Sequence, residues 1–199
     1  MAYKKVSIEL KNMAAGEHNE TIMSLIDLKS EDWHTICQNV TNLALPIFDI
    51  PFNTRLKSEI ISSLFEIESA KHYNIPNAKN DAEPDLFFTE YNKPVEIKVT
   101  KSKKSIKWMG NKISKKESQF VLIVWEEKNP DLLSSHKGLK FYVTTMYLTP
   151  EDWTGKDDGY TYHASFLSYN SIRNKEKKIL IGQENVLEEY SNVVNSGKK

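Results

Sequence analysis

The sequence predicts an α/β (α+β) fold in which a mixed central β-sheet is flanked by helices. Three observations carry this expectation. Helical patterns fill the first part of the chain, strand patterns follow in a run, and a helical pattern closes it. The segment Q-F-V-L-I-V-W, residues 119–125, is apolar without alternation, which suits a central strand covered on both faces. A length of 199 residues supplies one sizeable core and is short for two, and no Pro/Gly/Ser-rich linker interrupts it. A single domain over residues 1–199 is expected.

Taken in order, residues 19–28 and 30–43 have helical spacing. Ser30, followed by Glu31 and Asp32, reads as an N-cap with acids in the first turn, and Pro46 reads as the stop. Thr54 precedes a third helix to about Tyr73, with Leu56, Ile60, Leu64 and Ile67 as its apolar stripe. Residues 85–91 and 95–100 read as neighbouring strands across the turn-like Asn92-Lys93-Pro94. Residues 119–125 and 139–148 continue the sheet. Residues 160–168 and 178–181 read as further strands, the first at an edge, and residues 183–194 as a closing amphipathic helix.

Composition narrows the function classes. Hydrophobic residues at 39% and charged residues at 27% are ordinary for a soluble globular chain, and no stretch approaches the roughly 18 apolar residues of a membrane span. The N-terminus, M-A-Y-K-K-V-S-I-E, lacks the apolar segment of a signal peptide. The single Cys37 excludes an internal disulfide and reads as a buried thiol in a cytoplasmic protein. His18, His34, His72, His136 and His163 have no ligand spacing, and no Gly-rich phosphate loop, G-x-S-x-G elbow or zinc motif is present. Net charge is zero, yet residues 98–116 hold eight lysines and no acid, a local field able to hold a polyanion.

The densest chemistry lies in P-D-L-F-F-T-E-Y-N-K-P-V-E-I-K, residues 84–98. Side chains alternate along a strand, so Glu96 and Lys98 share a face while Ile97 enters the core. A hairpin centred on Asn92 and Lys93 would bring Asp85 to that same face. Two carboxylates and an ammonium in one small space suit a hard divalent cation and a scissile phosphate.

Pro84, Asp85, Glu96 and Lys98 resemble the motif of the PD-(D/E)XK nuclease superfamily, and the chain's size and surroundings look most like its type II restriction endonucleases. The resemblance implies a restriction-endonuclease-like mixed sheet with the metal site at one sheet edge. It also implies a Mg²⁺-dependent, sequence-specific endodeoxyribonuclease acting on double-stranded DNA. Asp85 and Glu96 would bind the metal together with the Ile97 carbonyl, and Lys98 would orient the attacking water. The family often carries a further acid on the preceding helix. Glu59 and Glu66 are the candidates, and Glu59 has the placement that looks more like the family's. Lys101, Lys103, Lys104, Lys107, Asn111, Lys112, Ser114 and Lys115 are expected to contact DNA, with Trp108 anchoring the segment. Cutting a palindrome implies a homodimer. Residues 1–50, read as a helical region outside the catalytic core at 54–195, are its expected surface for dimerisation or DNA clamping. A structure-specific repair or junction-resolving nuclease and a non-cleaving DNA-binding module are the other readings.

Overall fold

The computed structural model describes residues 3–11, 18–48, 50–77, 84–101, 107–110, 118–128, 138–149, 152–153 and 165–168. In sequence, Val6, Ile8 and Leu10 alternate with polar residues, and this segment forms strand β1 (Tyr3–Lys11). It pairs antiparallel with β2 (His18–Ile26), so the helix expected at 19–28 is a strand as far as Ile26. Ile22, Leu25 and Ile26 do fit helical spacing. However, Thr21, Ile22 and Ile26 are β-branched, and a partner strand of equal length precedes them. Non-local pairing outweighs local periodicity here.

Helix α1 (Ser30–Phe48) runs past Pro46 instead of stopping before it. In the last turn a proline removes only the donor aimed at the Asn42 carbonyl. Phe48, two residues on, packs edge-on against Trp125 at 5.5 Å and holds that turn in place. At the other end Lys29 O accepts from Trp33 N–H at 3.3 Å, so Ser30 lies inside the first turn and not at the cap.

Helix α2 (Thr54–Tyr73) is capped by Asn53, whose side chain accepts the Leu56 N–H at 2.9 Å. Asn74 closes it in the left-handed region at φ 53°, its N–H returning to the last turn. The buried stripe is Ile61 and Phe65, not the one expected through Leu56 and Ile67, and Ile67 is 47% exposed. Both stripes have helical spacing and differ by about 100° of rotation, so the sheet beneath decides which faces inward.

Strand β3 (Leu86–Phe88) leads through a single helical turn, Thr89–Tyr91, into β4 (Lys93–Lys101). After β5 (Lys107–Gly110) come β6 (Ser118–Lys128), β7 (Gly138–Leu148) and β8 (Ser165–Ser168). The main sheet has the order β3-β4-β6-β7, with β4 and β6 parallel and the outer pairs antiparallel. A mixed four-stranded sheet with two helices makes an α+β protein. β5 and β8 form a separate antiparallel pair, so the edge strand expected at 160–168 pairs away from the main sheet over its last four residues. The strand and helix expected at 178–181 and 183–194 lie outside the described residues.

One face of the sheet, through Val95, Ile97, Val121, Ile123 and Trp125, shares a core with α1 and α2. α1 contributes Ile36, Val40 and Ala44 to it, all fully buried. The N-terminal region is thus neither wholly helical nor separate from the core. The opposite face of β6 is also covered, with Phe120, Leu122 and Val124 fully buried and Phe120 against Trp153 at 5.3 Å. Trp108 is fully buried and donates its indole N–H to Ile123 O at 3.1 Å, which fits its expected anchoring role. Gln119 joins the hairpin to the sheet in the manner of a β-ladder. Its amide donates to Ile26 O at 2.9 Å, and its carbonyl accepts the Ile26 N–H at 3.0 Å. Among the described residues, no helix is long and apolar enough to cross a membrane.

The rotated stripe of α2 is testable. Ile61→Ala should destabilise by about 2–5 kcal/mol in urea unfolding, as buried isoleucines do. Ile67→Ala should stay within about 0.5 kcal/mol. The reverse order would mean that α2 packs through the face read from the sequence.

Candidate active site

Along β4 the burial alternates: Val95 and Ile97 are buried, while Glu96, Lys98 and Thr100 turn to the other face. The β3–β4 register pairs Leu86 with Val95 and Phe88 with Lys93. The turn therefore spans Thr89 to Asn92, two residues earlier than a hairpin centred on Asn92 and Lys93. Asn92 closes it with φ 51° and an N–H to Thr89 O at 3.2 Å. This slide along β4 is an even number of residues, and side chains repeat every two, so Asp85 stays on the expected face.

Asp85 sits one residue before β3 begins. Its Oδ2 accepts the Ile97 N–H at 2.6 Å, occupying the place of a main-chain ladder partner. The same Oδ2 accepts from Lys98 Nζ at 3.3 Å, and Glu96 Oε2 accepts from that ammonium at 3.0 Å. The three side chains are 19%, 16% and 12% exposed for Asp85, Lys98 and Glu96, so solvent screens their charges only in part. A strand residue directs its N–H and C=O towards the same neighbour. The Ile97 carbonyl accordingly points to the edge where β3 has not yet started.

Burial alone would lower the Lys98 pKa, but the charges of Asp85 and Glu96 outweigh it and hold the amine above its ordinary value. Burial pushes the Glu96 carboxyl up. Asp85 adds to that push, and Lys98 opposes it. The helix acid in electrical contact with this group is Glu66. Burial and the negative charges of Asp85 and Glu96 raise its pKa against a Ser62 hydrogen bond at 3.2 Å and the Lys98 charge.

Glu59, preferred from the sequence, is 56% exposed and paired with Arg55 at 2.8 Å. It shares a face with Glu66 but lies seven residues earlier. At 1.5 Å per residue that is about 10 Å along the axis, which separates the two acids. Spacing identified the face, and only the packing of α2 on β3 and β4 identifies which turn reaches the site.

Of the expected DNA contacts, Lys101 is engaged within the protein. Its ammonium lies 4.8 Å from the Trp125 ring centre and 3.7 Å from Glu127 Oε1. Lys107 begins β5. Lys103, Lys104, Asn111, Lys112, Ser114 and Lys115 lie outside the described residues. Sequence reasoning did not single out Lys57, which is 2.7 Å from Glu127 and helps to hold Lys101's partner. Cys37 is half-buried, and burial pushes its thiol up to about 12, so it is no nucleophile at neutral pH.

Among the described residues, no group of three or more His, Cys, Asp and Glu side chains has metal-holding geometry. The available donors are two carboxylates and one main-chain carbonyl. Mg²⁺ commonly takes one or two carboxylates and keeps several waters, so this set fits it and does not fit a metal needing an all-protein cage. Convergence of Asp85 Oδ2 and Glu96 Oε2 on one ammonium marks the spot as favourable to a cation. The chain matches no protein-family model and no curated protein.

Glu66 gives this site a measurable pH signature. A carboxyl raised on folding favours the native state while protonated, and that contribution is lost as pH rises through the folded pKa. Glu66→Gln should therefore melt at a higher temperature than wild type at pH 7. The gap should close as pH falls towards 4.5, the ordinary value. A gap that is constant with pH would disconnect Glu66 from the acidic pair.

Proposed function

We propose that the protein is a Mg²⁺-dependent endodeoxyribonuclease of the PD-(D/E)XK type, with a restriction-endonuclease-like fold and sequence-specific cleavage of double-stranded DNA. The observation that carries this reading is the convergence of Asp85 and Glu96 on Lys98 at the end of an edge strand. The Pro84-Asp85 and Glu96-Ile97-Lys98 pattern and the mixed four-stranded sheet packed against two helices support it.

Hydrolysis of a phosphodiester needs an activated water, stabilisation of charge on the reacting phosphorus, and a proton for the leaving oxygen. A bound Mg²⁺ supplies a lowered water pKa and polarises the phosphoryl oxygen. Asp85 is orientated for that ion by the Ile97 N–H, which fixes one carboxylate oxygen to the main chain. Glu96 and the Ile97 carbonyl would complete the protein's donors. Lys98, kept charged by its two acidic neighbours, would donate hydrogen bonds to the attacking water and hold it in line. Glu66 replaces Glu59 as the assisting helix acid in this reading, because its charge is felt at the site. The lysine-rich segment would place the duplex through its phosphates, with Lys101 committed to Glu127 and Trp125. Cutting both strands of a palindrome calls for two copies related by a two-fold axis.

Plasmid DNA incubated with the full chain and Mg²⁺ tests the proposal. Discrete fragments are expected. Asp85→Ala, Glu96→Ala and Lys98→Ala should each slow cleavage by at least about 10²-fold, the scale for removing an electrostatic group from a transition state. Glu66→Gln should also slow it, whereas Glu59→Gln should not. Cleavage that survives Glu96→Ala unchanged would place the chemistry elsewhere. Attack confined to branched DNA would indicate a structure-specific enzyme.

A further inference from the structure

We propose that the Lys98 ammonium is the resident counter-ion of the acidic site, and that a divalent cation enters by displacing it from Asp85 and Glu96. This deepens the nuclease reading. It rests on that reading's cation site and is independent of what the protein cleaves.

The two oxygens that Lys98 contacts, Asp85 Oδ2 at 3.3 Å and Glu96 Oε2 at 3.0 Å, are the donors a cation would need. An ammonium has three donors and no lone pair, so it cannot join a metal's ligand shell. Lysine and metal therefore compete for the same atoms, and their like charges repel at that range. The exchange is favoured in charge terms because one ammonium is shared by two carboxylates, those of Asp85 and Glu96. A divalent ion answers that excess better than an amine does. Asp85 need not be reorganised by the swap, since its hydrogen bond from Ile97 N–H at 2.6 Å uses the main chain and not Lys98. Once displaced, the amine remains tethered to β4 beside the acids, within reach of a water bound there. The metal requirement and the positioning of Lys98 would thus be one event, and the amine would act as a brake on metal entry.

Calorimetric titration of the full chain with Ca²⁺ at fixed ionic strength tests this. Lys98→Met should bind Ca²⁺ at least tenfold more tightly than wild type, and Lys98→Gln should move the same way. Lys98→Arg, which keeps the charge, should not tighten binding, and Glu96→Gln should weaken it in every background. Far-UV circular dichroism identifies any variant that fails to fold, and Met and Gln serve as substitutes for each other. Equal or weaker Ca²⁺ binding in the folded Lys98→Met and Lys98→Gln proteins overturns the proposal. Plasmid digestion by wild type separates the two ideas. Tighter Ca²⁺ binding without any Mg²⁺-dependent cleavage sinks the nuclease and leaves the displacement standing. Cleavage with unaltered Ca²⁺ affinity in both neutral variants does the opposite.

Discussion

Where β3 has not yet begun, Asp85 lends its carboxylate to the main chain of β4. Its Oδ2 takes the N–H of Ile97 at 2.6 Å, a donor that a longer β3 would have paired with a carbonyl. A charged acceptor of a backbone N–H is worth about 1.5–3 kcal/mol, more than a neutral ladder bond. The gain in geometry matters as much. One oxygen of Asp85 is fixed by the strand itself, so Lys98 and Glu96 meet a carboxylate whose position they did not have to set. The alternation of β4 does the rest, placing Glu96 and Lys98 on one face with Ile97 buried between them. Without this bond the edge of β4 would carry an orphan amide, and the acidic pair would lose its alignment.

Two groups of charges in the protein show how differently carboxylates can be treated. Glu127 has two cations to itself, Lys57 at 2.7 Å and Lys101 at 3.7 Å, and the Lys57 hydrogen bond holds its pKa below the ordinary value. That arrangement is settled, and it ties the start of α2 to the end of β6. Around Lys98 the balance is reversed. Burial and mutual repulsion push Glu96 and Glu66 up while a single amine serves the whole group. Unfavourable electrostatics of this kind, concentrated at a sheet edge and fixed by a main-chain bond, raise carboxyl pKa values at a cost in stability.

The strand chemistry was legible because period two is unforgiving. Glu96, Ile97 and Lys98 could be assigned faces from three letters, and even a misplaced turn left Asp85 on the correct face because the error was even. The apolar run of β6 announced its own burial on both sides. The failures have one cause, since each depended on a distant partner. Residues 19–26 are strand only because residues 3–11 pair with them. Ile61 displaced Leu56 and Ile67 because β4 and β6 lie on that side of α2. Pro46 stays helical because Phe48 has Trp125 to pack against. Glu59 and Glu66 are equivalent by spacing and differ only in how far along the helix the sheet edge falls.

That last distinction makes α2 the part that sets the site's third charge. Its first turns are fixed by Lys57 on Glu127 and by the indole N–H of Trp125 on Ser58 Oγ at 3.1 Å. Its middle is fixed by Ile61 and Phe65, the latter edge-on to Phe141 at 5.0 Å. Its last turns are fixed to α1, through Asn39 on Glu68 at 3.0 Å and His72 beside Asp32 at 3.0 Å. Glu66 lies between the middle and the end of this helix and cannot slide toward or away from Asp85 without breaking contacts at both. A helix packed on the sheet and held at both ends is a rigid ruler, so the packing sets where its charge lies relative to the acidic pair. Glu66 therefore keeps its place relative to Asp85 and Glu96 in the folded state, where burial and their negative charges hold its pKa up.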